Sequence, residues 1–304
     1  MKKALALILT ASLLTGVLTA CGSSKAQTDA AETTTEEAAA EETAAAEETA
    51  DTDAQAETGD LQVITVAATA VPHAEILEAA KPILAEQGYD LQVTVFDDYV
   101  QPNEVVEAGD IDCNYFQHIP YLNSYNEERG THLVSVGEIH YEPIGIYAGT
   151  ESDLSNIPDG ADIAIPNDTT NEARALLILQ DNGIITLKEG AGIDATINDI
   201  AENPHNINFV EMEAAQVSKV LSEVAFAVIN GNYALDAGLN AQTDALASET
   251  SDSLAAQTYV NVVVVKEGNE DNEGVKALVN VLKSDDIKKF IEETYEGAVV
   301  PFEG

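Results

Sequence analysis

From Gly22 to Asp60 the chain contains no aromatic residue and no Val, Ile, Leu or Met; it is built almost wholly of Ala, Glu, Thr, Asp, Ser and Gln. Such a stretch cannot bury enough apolar surface to offset the entropy lost on ordering. Near-repeats such as Glu41-Glu42-Thr43-Ala44-Ala45-Ala46-Glu47-Glu48-Thr49 favour transient helix, but paired glutamates repel and no partner face exists. The expectation is a solvated acidic linker over residues 21–60, reaching on the order of 130 Å when fully extended. Any globular fold must therefore be made from residues 61–304, a length large for one α/β layer and comfortable for two lobes.

What precedes the linker explains why one is needed. Lys2 and Lys3 lead into an apolar run from Ala4 to Leu18, which closes in Leu18-Thr19-Ala20-Cys21. A charged start, a short apolar core and small residues at a cut site describe an export signal over residues 1–20. The run is shorter than the roughly 20 residues of a membrane-spanning helix. Leu18-Thr19-Ala20-Cys21 resembles the lipobox of bacterial lipoproteins, which implies that Cys21 is lipidated and becomes the first residue. Two acyl chains at one Cys satisfy the need for more than one chain in stable anchoring. The expected location is the extracytoplasmic side of the cell membrane, with the lipid on Cys21 as the membrane contact.

The formal net charge is −41, and residues 22–60 supply 12 acids against Lys25, leaving most of it on the remainder. A globular part that acidic is repelled by nucleic acid and by anionic lipid, so neither is an expected partner. With Cys21 lipidated, Cys113 has no partner for a disulfide; in its apolar surroundings it reads as a small buried residue.

Beyond residue 61 the pattern alternates between two periods. Leu61–Ala67 reads as a strand, and Ile76, Leu77, Ala80, Ile83 and Leu84 repeat at helical spacing. Further strands are expected at 91–96, 111–116, 133–136, 144–148, 161–165, 207–211, 224–229 and 259–265. Helices are expected at 171–181, 214–222, 231–237, 273–283 and 285–294. Strand–helix alternation of this kind predicts mostly parallel sheets covered by helices. In such sheets ligands bind beyond the carboxyl ends of strands. Four segments fit that place: 96–99, 114–118, 166–174 and 228–233. None carries a dinucleotide or P-loop fingerprint, and no cofactor is called for.

At these residues the chain resembles the methionine-binding lipoproteins, the NlpA-type receptors. The resemblance is carried by Phe96-x-Asp98-Tyr99, Gly109-Asp110-Ile111-Asp112, Asn114-Tyr115-Phe116-Gln117-His118-x-Pro120-Tyr121-Leu122 and Pro166-Asn167-Asp168-x-Thr170-Asn171-x-x-Arg174. Ala227-Val228-Ile229-Asn230 with Tyr233, and Tyr259-Val260-Asn261, match as well. Cys113 and Ala173 stand where the family pattern has Ala and Gly, and Ala173 would add a methyl beside the site. The resemblance implies an α/β, two-lobed periplasmic-binding-protein fold, type II-like, with a two-crossing hinge. It places lobe 1 at about 61–146 plus 243–304 and lobe 2 at about 147–242. It also implies a receptor, not an enzyme, that binds L-methionine or a close relative and delivers it to the permease of an ABC importer.

The residue chemistry suits a free amino acid, whose two charges cannot be buried unpaired. Arg174 offers a planar fork for a carboxylate, against the plainer reading of a surface salt bridge. Asn230 can accept from an ammonium, or else cap a helix. Asn171 is a ligand contact or the cap of the helix that carries Arg174. Tyr99, Phe116, His118 and Tyr121 are candidates for an aromatic pocket around a thioether, with plain core for Phe116 and a solvent-facing position for Tyr121 as the alternatives. The alternatives are a receptor for a methionine-containing dipeptide or another apolar amino acid, and, in a different class, a metal receptor or an adhesin or sensor. Histidines stand at 73, 118, 132, 140 and 205 with no close pair along the sequence and no His-Glu-x-x-His, so no metal site is expected.

Overall fold

The computed structural model describes residues 61–250 and 257–303. The export signal, Cys21 and the linker expected at 21–60 lie outside the described residues. In strand β1 (Gln62–Ala68) Ile64, Val66 and Ala68 alternate inward, and helix α1 (Glu75–Glu86) lays Ile76, Leu77, Ala80 and Leu84 over them. β2 (Tyr89–Val95) returns parallel to β1, and α2 (Gln101–Ala108) leads to β3 (Cys113–His118), parallel to β1 on its other side. α3 (Ile119–Arg129) and β4 (Leu133–Tyr141) complete the first pass through this lobe.

The chain crosses to a second sheet at Glu142–Ile144. There it forms β5 (Gly145–Ala148), β6 (Asp162–Pro166), α4 (Thr169–Asp181), the short β7 (Thr186–Leu187) and β8 (Ile200–Glu202), and β9 (Asn208–Met212). Next come α5 (Ala214–Val217), β10 (Phe226–Ile229), α6 (Gly231–Asp236) and β11 (Ala245–Ser248). A second crossing follows β11, and β12 (Val260–Lys266), α7 (Glu273–Leu282), α8 (Asp285–Tyr295) and β13 (Val300–Pro301) rejoin the first lobe. The strand orders are β13-β4-β12-β3-β1-β2 and β11-β5-β10-β6-β9.

The expected predominance of parallel pairing does not hold. β12 runs antiparallel to both β3 and β4, β13 to β4, and β5 to both β10 and β11. The parallel pairs β1–β2, β1–β3, β6–β10 and β6–β9 lie within one lobe, where helices make the crossovers. Each antiparallel pair of the two large sheets contains β4, β5, β11 or β12, the strands that flank the two crossings; the separate hairpin of β7 and β8 is antiparallel as well. Chain entering from the other lobe needs no crossover helix, so the constraint that forces parallel pairing is absent there.

Two helices were not anticipated from the pattern. α2 buries only Pro102, Asn103 and Val106, and α3 buries Pro120, Tyr121, Leu122 and Tyr125 among polar residues. Their inward faces contain Asn, Pro and Tyr in place of a plain aliphatic stripe, so the helical period is masked. The expected helix at 214–222 is a four-residue α5 continued by a short 3-10 turn. Cys113 is fully buried beside β1, where desolvation pushes its thiol pKa far above the ordinary value. Ala173 lies in the second lobe's core with Ile144, Ile165 and Leu176, so its methyl packs apolar atoms rather than the cavity.

Candidate functional site

β3 extends two residues farther than its sequence pattern suggests, so Asn114-Tyr115-Phe116-Gln117-His118 is strand and not a loop beyond it. Both faces are buried. One set of side chains forms a closed amide network: Gln117 Nε2 donates to Asn103 Oδ1 (2.6 Å) and Asn114 Oδ1 (2.9 Å), while Asn103 Nδ2 donates to Gln117 Oε1 (3.0 Å). Asn114 Nδ2 donates to Asn103 Oδ1 at 2.8 Å. Buried amides with their partners supplied fix one arrangement of the strand and of α2 behind it. His118 ends β3 and caps α3, with Nδ1 accepting from the Tyr121 amide at 3.1 Å.

Between the lobes is a cavity with about 330 Å³ of atom-free space, a figure that includes its opening to solvent. Tyr99, Phe116, His118, Tyr121, Asn171, Arg174 and Asn230, all expected from the sequence, line it together. The aromatic rings pack edge to face or tilted, with the Tyr99 centroid 5.8 Å from Phe116 and 5.6 Å from Tyr121. Tyr121 is buried rather than solvent-facing, and its hydroxyl donates to the Tyr99 carbonyl at 3.0 Å. Phe116 does both jobs left open for it: it lines the cavity and belongs to the cluster formed by Val106, Leu122 and Leu133.

The polar side of the cavity is supplied by helix starts in the second lobe. Asp168 caps α4 by accepting from the Asn171 amide at 3.1 Å, which frees the Asn171 side chain from capping. Asn171 Oδ1 then accepts from Asn230 Nδ2 (2.7 Å) and faces His118 Nε2 (3.1 Å). His118 must be neutral with its proton on Nε2 to make both of its bonds. Burial, reinforced by Arg174, lowers its pKa to about 3. Asn230 occupies the N-cap position of α6, yet its side chain makes no capping bond. Its Oδ1 is buried and without a hydrogen-bond partner among the described residues.

Arg174 is buried, not a surface residue, but much of its fork is already engaged. Nε lies 3.0 and 3.2 Å from the two carboxylate oxygens of Glu249, Nη2 lies 2.5 Å from Oε2, and Nη2 also donates to the Glu142 carbonyl at 2.8 Å. The guanidinium stacks over Tyr259, 4.2 Å from the ring centroid. Burial works against its charge, but Glu249, together with Tyr141 and Tyr259, holds the pKa above the ordinary arginine value. The salt-bridge reading thus contains part of the truth, with the pair inside the protein. Among the described residues the hydrogen bonds of Arg174 run from Nε and Nη2.

Glu142, Gln117, Gly231, Asn232 and Asn261 also line the cavity; Gln117, Gly231, Asn232 and Asn261 lie in segments marked from the sequence without being named as contacts, and Glu142 lies outside them. Asn232 Oδ1 accepts from the Tyr99 hydroxyl across the lobes at 2.5 Å. Glu142 is one acid among 54, and only its burial distinguishes it. The fold also makes a histidine pair that sequence spacing hides: the His73 and His140 ring centroids are 5.1 Å apart. With Glu142 they bring three potential metal-ligating atoms within 4.8 Å of one another. Each atom already has a protein partner, because His140 Nε2 meets Glu142 Oε1 at 2.7 Å and His73 Nε2 meets Asn261 Oδ1 at 3.0 Å. In this structure the cluster forms a hydrogen-bonded network.

Four matches to known proteins bear on this arrangement. The family model described as NlpA lipoprotein matches residues 64–303. The methionine-binding lipoprotein MetQ of Bacillus subtilis is 41% identical over 250 residues, covering 81% of this chain and 90% of that protein. A lipoprotein crystal structure from Ruminococcus gnavus is 67% identical with a TM-score of 0.79, covering 80% of this chain and all of that one. A Burkholderia cenocepacia nutrient binding protein, solved bound to methionine, is 42% identical with a TM-score of 0.74, covering 78% of this chain and 99% of that one.

Proposed function

The chain belongs to the NlpA lipoprotein family, and from that premise we propose that it is an extracytoplasmic receptor for L-methionine, anchored through lipid on Cys21. The observation that carries the reading is the buried, unpartnered Oδ1 of Asn230 in a cavity walled by Tyr99, Phe116, His118 and Tyr121. A buried acceptor with no donor costs roughly 1–3 kcal/mol, so it favours a ligand that brings one. An α-ammonium does so. The ligand carboxylate goes to Arg174 Nη1, and the thioether lies against aromatic edges, which favour sulfur.

Hydrogen bonds between the lobes join Tyr99 to Asn232, His118 to Asn171, Tyr233 to the Asp97 carbonyl and Thr169 to Glu128. A ligand that touches both lobes stabilises this closed arrangement only to the extent that it binds the open one less well. The lobes, expected at about 61–146 plus 243–304 and at about 147–242, are divided instead at Glu142–Ile144 and after β11, since β5 and β11 pair in the second sheet. The two parts so divided then act as the moving parts. A permease of an ABC importer is the partner that would read the closed state.

The test is calorimetry on protein stripped of ligand by unfolding and refolding, titrated with L-methionine, D-methionine, methionine sulfoxide, a glycyl-methionine dipeptide and zinc. Binding of L-methionine in the nM to µM range, about −8 to −12 kcal/mol, with none of zinc, is the expected result. Response to the dipeptide alone would move the substrate, and response to zinc alone would overturn the receptor reading.

A further inference from the structure

A second cavity stands at the seam of the lobes, with about 300 Å³ accessible to water. The first lobe gives it Asp98, Tyr99 and Tyr121, and the second gives Asp168, Glu213 and Tyr233. Tyr99 and Tyr121 also line the first cavity, so the two share a wall. The rim reaches the surface, where Glu213 is exposed. We propose that this cavity is a separate site for an organic cation, an aliphatic amine, and that its occupant favours the closed arrangement of the lobes. The charged ends of the amine meet the carboxylates and its carbon chain lies on the tyrosine rings.

The charge of the lining is one-sided. It contains no Lys, Arg or His, and none of its three carboxylates pairs with a basic side chain among the described residues. Neutral donors meet them only in part. Asp98 Oδ1 accepts from the amides of Val100 (2.7 Å) and Gln101 (2.9 Å), and Asp168 Oδ1 from the Asn171 amide (3.1 Å) and Nδ2 (2.8 Å). Among the described residues no bond reaches Asp168 Oδ2. Burial raises the pKa of Asp168 against those bonds. Burial also pushes up the hydroxyls of Tyr99, Tyr121 and Tyr233, and the charge of Asp168 adds to the shift in each. A carboxylate drawn out of water without a counter-charge favours a cation that supplies one.

Shape decides between an inorganic ion and a molecule. A metal ion needs several ligand atoms converging on one point. Among the described residues the trio that does so is His73, His140 and Glu142, whose ligating atoms lie within 4.8 Å of one another; Asp98, Asp168 and Glu213 do not converge. The rest of the wall is aromatic, with the Tyr99 centroid 5.0 Å from Tyr233 and 5.6 Å from Tyr121. The three hydroxyls donate elsewhere, to Asn232, the Tyr99 carbonyl and the Asp97 carbonyl. What these tyrosines offer the cavity is ring surface, which attracts an ammonium and covers its methylenes. Both lobes hold the occupant, so it binds the closed arrangement better, and its affinity and that of methionine rise together.

The experiment is calorimetry on the full-length protein in 0.1 M salt, where charges more than about 10 Å apart are screened. The titrants are 1,5-diaminopentane, its neutral analogue pentane-1,5-diol, and calcium. One equivalent of the diamine should bind, with no heat from the diol or from calcium. Asp98→Asn/Glu213→Gln should weaken the diamine about tenfold or more, as for loss of charged contacts. Glu189→Gln/Glu292→Gln, which neutralises two exposed acids elsewhere, should leave it unchanged. Equal weakening by both pairs would assign the attraction to the general charge of the protein and overturn the site. Wild type decides alone should the first pair fail to fold: a diol or calcium bound as well as the diamine, or no binding of the diamine, refutes the proposal. Methionine-loaded protein should take the diamine at least about fivefold more tightly than stripped protein, and equal affinities would overturn the coupling to closure. A protein that binds the diamine but not methionine would keep this site and overturn the receptor reading instead.

Discussion

Arg174→Ala should affect folding as well as binding, and the two losses are separable. The side chains of Arg174 and Glu249 are 4% and 11% exposed, so the pair is removed from water. Deleting the guanidinium takes three contacts from the Glu249 carboxylate but leaves the Tyr141 hydroxyl at 2.6 Å and the Ile144 amide at 3.1 Å. Breaking a buried pair from one side typically costs about 3–5 kcal/mol. The two surviving donors place this case near 3 kcal/mol. Arg174→Ala/Glu249→Ala removes the stranded charge and should recover at least about 1 kcal/mol of that. Urea unfolding of the stripped protein measures these terms with no ligand present. Calorimetry then measures the ligand term, expected to be about 2 kcal/mol or roughly 30-fold in Kd for a charge-assisted contact. An Arg174→Ala protein as stable as wild type would refute the buried pair, and a stable variant with unchanged affinity would remove Nη1 from the site.

Acidification should destabilise the fold between pH 6.5 and 4. Burial lowers the pKa of His73 to about 4 and those of His118 and His140 to about 3, so over this window the unfolded chain binds protons that the native state refuses. Each histidine then costs about 2 kcal/mol at pH 5, opposed in part by Glu142 and Asp168, whose pKa values burial raises; a flat urea midpoint from pH 7 to 5 would refute neutral burial. Gly149→Ala should lose more than about 2 kcal/mol, because its Cβ would stand 2.2 Å from the Val224 carbonyl oxygen and 2.7 Å from that of Leu221; a melting temperature equal to wild type would show that this backbone gives way. Tyr99→Phe removes the hydroxyl that Asn232 accepts across the lobes and should weaken methionine about threefold to tenfold through the closed state, while an unchanged Kd would mean that this bond does not contribute to closure.

How much was legible in advance varied with the kind of interaction. β1 and α1 were readable because their core positions are aliphatic and their partners close in sequence. α2 and α3 were not, because Asn103, Pro120, Tyr121 and Tyr125 take the inward places that Leu or Ile would mark. The cavity's aromatic and amide residues were visible through their position after strands and their resemblance to a family pattern. Glu142 and Glu249 were not, since nothing along the chain distinguishes a buried acid from its many exposed neighbours.

The amino-acid sequence alone leads to the expectation of a folded part within residues 61–304, since the acidic stretch before it offers no large apolar side chain to bury. It also sets the strand and helix periods and supplies the cavity's Arg, Asn and aromatic side chains. Only the tertiary structure decides that Arg174 shares its fork with Glu249, that His73 and His140 back Glu142, and that Asn230 Oδ1 stands without a partner. The physical reason is sequence distance. Periodicity is a local property of a few turns or strands, whereas desolvation and ion pairing depend on which distant segments the two crossings bring together.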